Sequence, residues 1–120
     1  MVGILRCGEG PTVALRFDID ALPMEEAEDL EHRPFREGFS SQNPGMMHAC
    51  GHDCHAAIGL GTARILSELR DQLHGTVKFL FQPGEEGTKG AYAMVENGHL
   101  DGVDYFAGTH VAPDDKEDDG

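Results

Sequence analysis

Tryptophan is absent from the 120-residue chain, tyrosine occurs twice and cysteine three times. So few thiols, odd in number, exclude the regular disulfide framework that staples small secreted domains. Cations are scarce too. Nine Lys and Arg stand against 22 Asp and Glu, a formal charge of -13. Nucleic-acid recognition needs clustered cations to meet phosphate, so no nucleic-acid partner is expected. No apolar run is long enough to span a bilayer, and the first residues carry no leader pattern. The expected setting is the cytoplasm, with reduced thiols and no membrane partner.

A hydrophobic fraction of 39% permits one modest core. Part of the charge is local, because residues 114–119 hold five acids and one base. Such a run predicts a solvated, disordered acidic tail over 112–120.

Apolar patterning divides the rest. Residues 12–19 (TVALRFDI) read as a buried strand with Asp18 and Asp20 at its end. Residues 21–47 lack periodicity and are rich in Pro, Gly, Ser and acids, the mark of a long functional or disordered loop. From Asp53, a plausible N-cap, apolar residues recur at helical spacing to about residue 73. Gly75 closes that helix, and 76–81 (TVKFLF) forms the next strand. A second helix is expected over 88–96 and a third strand over 103–110. The alternation predicts an α/β fold, part of a three-layer arrangement with a mainly parallel sheet.

Within this frame the run Met47-His48-Ala49-Cys50-Gly51-His52-Asp53-Cys54-His55 concentrates thiol, imidazole and carboxylate. Those are the side chains that bind zinc and related transition metals, and they are costly to bury unpaired. Cys50 and His52 can face one ion. Cys54 reads better as a small buried residue on the first helical turn. Gln82-Pro83-Gly84-Glu85-Glu86-Gly87 follows the second strand. Adjacent acids on non-helical backbone point apart, so one could bind metal while the other acts as a general base. Acids at a helix N-terminus are the plainer alternative. His110 closes the third strand and alone would pass for a surface residue. Asp18 and Asp20 are either an outer shell orienting ligand imidazoles or ordinary turn acids. Sites in open α/β sheets form beyond the carboxyl ends of the strands, where all four pieces could meet.

RFDIDALP, MMHACGHDCHAA, FLFQPGEEG and, more loosely, YFAGTHV resemble the amidohydrolase branch of the aminoacylase and carboxypeptidase G superfamily of two-metal peptidases. The segment HRPFREGFSSQNPGMMHACGHD is most similar to its aminobenzoyl-glutamate hydrolase members. The resemblance implies Cys50, His52, Glu86 and His110 as metal ligands, Glu85 as the catalytic general base, and Asp18 and Asp20 in support. It implies two divalent ions, Mn2+ or Zn2+, and hydrolysis of the amide of an N-acyl amino acid of aminobenzoyl-glutamate or hippurate type. Family members are much longer. The resemblance therefore implies a partial catalytic domain over 1–111, without the dimerisation or lid domain and without the last histidine ligand. A homo-oligomer or partner subunit, self-association through exposed apolar surface, and an inactive metal-binding or partner-docking fragment are further expectations. A thiol hydrolase using Cys50 with His48 or His52 is weaker, because it leaves the glutamate pair idle.

Overall fold

A computed structural model describes residues 1–112 of the chain. Its strands are β1 (Val2–Arg6), β2 (Thr12–Asp18), β3 (Thr76–Gln82) and β4 (Tyr105–Gly108). They form one sheet in the order β1-β3-β2-β4. β2 is parallel to both β3 and β4, and β1 is antiparallel to β3. The α/β class and the mainly parallel sheet therefore hold. The apolar pattern does not announce β1. Its five residues acquire strand form from a partner distant in sequence, with Val2 opposite Leu80 and Arg6 opposite Thr76.

Strand alternation explains the core. Phe17 on β2 and Phe79 and Phe81 on β3 form its buried centre. Ala63 and Leu66 of α2 (His52–Glu68) pack onto them. The Phe17 and Phe81 rings stack with centroids 5.6 Å apart. Each phenylalanine so buried contributes about 1.5–3 kcal/mol of transfer free energy. Gly59 is where α2 comes closest, since a Cβ there would lie 2.6 Å from Phe81 Cε1.

The expected N-cap is corrected. Gly51, at φ 81°, precedes the first helical residue His52, and Asp53 sits in the first turn. A left-handed backbone at this point suits glycine, which has no Cβ to clash. The helix ends at Glu68, and a short 3₁₀ turn (Arg70–Gln72) fills the remainder of the expected span. α3 (Gly90–Glu96) and β4 are each shorter than the sequence pattern suggests, so His110 lies two residues past its strand.

α2 links β2 to β3 on one side, and the chain then crosses back with α3 to place β4 on the other side of β2. Lys78, alternating with Phe79, donates to the carbonyls of His99 (3.1 Å) and Asp101 (2.8 Å). That tacks the second connection to the face opposite the phenylalanines. Connections that diverge in this way leave a crevice at the carboxyl ends of the strands. Residues 21–47 are irregular apart from α1 (Arg33–Glu37) and a bridge between Leu22 and Met47. The glutamates within the loop organise it: Glu26 accepts from the Ser41 amide and Glu25 from the Gly45 amide. The expected acidic tail lies, apart from Ala112, outside the described residues.

Candidate metal centre

The expected donors come from three elements. Cys50 and His52 stand at the start of α2, Glu85 and Glu86 follow β3, and His110 follows β4. Potential ligand atoms of Cys50, His52 and His110 lie within 4.8 Å of one another, as do those of His52, Glu85 and Glu86. His52 is common to both sets, so it is the hub. Cys50 Sγ is 3.6 Å from His110 Nε2. All the expected ligands and the expected base are thus gathered at one end of the sheet.

Hydrogen bonds orient the imidazoles. His52 Nδ1 lies 3.1 Å from both the main-chain oxygen and Oδ1 of Asp20, acceptors that require the proton on Nδ1. In the neutral imidazole Nε2 is then the nitrogen with the lone pair, and it is fully buried and without a hydrogen-bond partner. Asp18 Oδ2, another acceptor, is 3.7 Å away. In that tautomer two acceptors face each other, and the unsatisfied buried nitrogen costs about 1–3 kcal/mol, which a cation relieves. Arg16 Nη1, 2.8 Å from the same oxygen, ion-pairs with it without hydrogen-bond alignment. His110 Nδ1 bonds the Val111 carbonyl, which leaves its Nε2 lone pair toward Cys50. The unpaired nitrogen and the mix of thiol, imidazole and carboxylate fit a divalent transition ion.

Asp20 works in two directions. Burial raises its pKa, but hydrogen bonds from the Glu86 and Glu85 backbone and from His52 prevail, and the pKa is lowered. Its Oδ2 accepts the Glu86 amide at 2.9 Å, so one carboxylate holds His52 and the glutamate turn together. The Cys50 thiol is pushed up, first by its hydrogen bond to Glu86, then by burial and by the charges of Glu86, Glu85 and Asp18. A nucleophilic cysteine needs the opposite surroundings, which counts against the thiol-hydrolase reading. Metal ligation, by contrast, ionises a thiol outright.

Two expectations need correction. Cys54 is exposed, not buried, because the first turn of α2 turns that position outward. Asp18 pairs mainly with His55, which the sequence reading counts only as a neighbour within the donor run, rather than with an expected ligand. Asp18 and His55 are both fully buried. The signal for His55 is its place four residues after Gly51 on the helix; its partner Asp18 can be matched to it only in three dimensions. His48 stays outside the ligand sets and places Nδ1 3.1 Å from the Asp20 carbonyl. A cavity of about 340 Å³ lies beside the centre under the 21–47 loop, lined by Glu26, His32, Phe39, Met46 and His48 among others.

Known proteins share this framework. The chain is 61% identical over 102 residues to an indole-3-acetyl-aspartic acid hydrolase of Enterobacter agglomerans, covering 85% of this chain and 23% of that protein. It is 57% identical to a p-aminobenzoyl-glutamate hydrolase subunit of Escherichia coli K12, with the same coverage of 85% and 23%. The chain thus spans about a quarter of the length of the curated relatives it matches. Among solved structures, the Bacillus subtilis YXEP protein, a dinuclear metal-binding peptidase, superposes with a TM-score of 0.83 at 44% identity. That superposition covers 94% of this chain and 30% of the other. Residues 14–120 match the sequence profile of peptidase family M20/M25/M40. The match runs through every segment that supplies a donor, from Asp18 to His110, and the chain accordingly belongs to the M20/M25/M40 peptidase family.

Proposed function

We propose that this chain carries the greater part of a two-metal centre that hydrolyses the amide bond of N-acyl amino acids, of aminobenzoyl-glutamate or hippurate type. The observation that carries the reading is the buried, unpaired Nε2 of His52, flanked by Cys50, Glu86 and His110 at the strand ends. Cys50, His52, Glu86 and His110 would hold the ions, Mn2+ or Zn2+. A bound divalent cation supplies Lewis acidity, lowering the pKa of water and stabilising negative charge on the carbonyl oxygen. Glu85 takes the proton from the attacking water and returns it to the departing nitrogen. Asp20 fixes His52 and the Glu86 backbone, so ligand and base stay in register. The setting is cytoplasmic, and 1–111 is the catalytic part.

The relatives' names support the substrate class, since they describe hydrolysis of acyl conjugates of aspartate and glutamate. One relative is named as a subunit, which also supports a partner subunit or a second copy. A non-catalytic metal-binding or docking role is favoured instead by the exposed edge strand β4.

Metal loading followed by an N-acyl-amino-acid assay separates these readings. Near two equivalents of zinc or manganese with turnover support the hydrolase. Glu85→Gln is then expected to lower turnover by about 100-fold or more while metal content stays unchanged. Retained turnover in that variant would make Glu85 the wrong base, and binding without turnover in the parent would favour the non-catalytic role.

A further inference from the structure

We propose that Gly51 and His55 form a clasp on the first turn of α2 that seats Val111 and thereby holds His110 in the metal centre. The proposal rests on the metal reading for its consequence, not for its geometry. Val111 N–H donates to His55 Nε2 at 2.8 Å. A donor arriving at Nε2 requires a lone pair there, so the imidazole proton is on Nδ1, where it is given to Asp18 Oδ1. Both nitrogens of His55 are thereby committed. Although Asp18, His52 and His55 are grouped tightly enough to hold an ion, His55 has no lone pair left to offer one.

Gly51 supplies the other half. A Cβ there would lie 2.5 Å from Val111 Cγ2, and the backbone φ of 81° already disfavours a side chain. Val111 therefore rests on a bare backbone while its amide is held four residues further along. Its carbonyl in turn accepts from His110 Nδ1, leaving Nε2 directed to Cys50. The His55 ring also packs edge-on against His110, with centroids 4.7 Å apart. Residues 109–112, the described ones after β4, have no ladder to hold them, so this contact fixes the ligand that no strand positions. His55 is thus a positioning residue, acting on the ions through Val111 and His110.

The test uses the intact chain and zinc chloride. His55→Asn keeps a donor for Asp18 but removes the acceptor for Val111, whereas His55→Gln places an amide oxygen where Nε2 was. His55→Asn is expected to weaken zinc binding about tenfold or more, the usual scale for residues supporting a ligand, while His55→Gln stays within about threefold. In a His110→Ala background, His55→Asn is expected to add no further loss. Equal zinc affinity in parent and His55→Asn, or additive losses in the double variant, would overturn the clasp. Amide exchange at Val111 in the metal-free chain gives an independent readout, slow in the parent and in His55→Gln and fast in His55→Asn. If the parent binds no zinc, the metal reading fails and Val111 exchange alone decides: equally fast exchange in parent and variant sinks the clasp. Should His55→Asn not fold, Val111→Pro deletes the donor from the other side and is read against Val111→Ala. Unchanged zinc affinity in Val111→Pro also counts against the proposal.

Discussion

Single residues organise this molecule by accepting hydrogen bonds from backbone. Asp20 does so in the centre, and Glu26 does the same in the 21–47 loop. Glu26 accepts from the Ser41 amide and sits 2.8 Å from His32 Nε2. The Ser41 amide bond, then the His32 bond, lower its pKa below the ordinary 4.5. A carboxylate with a depressed folded pKa stabilises fully above its unfolded pKa and loses that contribution as pH falls through the folded one. Local protection in the loop is therefore expected to hold at neutral pH and fall below about pH 4.5, by linkage to Glu26. Hydrogen exchange at Ser41 between pH 6 and 3 checks it. In Glu26→Gln the acid-dependent loss of protection should disappear. Residue types alone mark Cys50, His52, Glu85 and Glu86 as chemistry. They cannot reveal that Asp18 and Asp20 divide between two histidines, because that depends on where β2 ends against α2.

Elements depend on how closely they approach. α2 sits on Phe17 and Phe81 across Gly59, with room for a hydrogen and not for a methyl group. Alanine is the better helix former by about 1 kcal/mol. Overpacking a dense core costs about 1–3 kcal/mol, and two stacked rings cannot yield separately. Gly59→Ala is thus expected to lower stability, seen as a reduced midpoint in urea unfolding. An exposed control, Gly61→Ala, has open space around its Cβ and should raise stability instead. The helix and the three parallel strands are legible in the sequence because their apolar periods are local properties. β1 is not, since a five-residue edge strand takes its form from β3 across seventy residues of chain.

At the scale of the whole molecule, large apolar side chains stand exposed among the described residues. Tyr105 and Phe106 on edge strand β4 are 65% and 56% exposed, and Leu60 and Ile65 on α2 are 65% and 58% exposed. Exposed apolar side chains and an unpaired strand edge both favour association. A formal charge of -13 opposes it through mutual repulsion, which salt screens over about 10 Å at 0.1 M. Light scattering should therefore show mass above the monomer that increases with sodium chloride. A monomer at every salt concentration would mean that these faces are not sticky enough to pair.

The sequence by itself determined the α/β class, the donor chemistry and the order in which donors arrive, because residue type and apolar period are written locally. Only the tertiary structure decided which acid serves which histidine and where β1 pairs. It also decided that His110, beyond the end of its strand, is held by the first turn of a distant helix. Those are through-space relations, set by the approach of α2 to the strand ends, and no spacing along the chain encodes them.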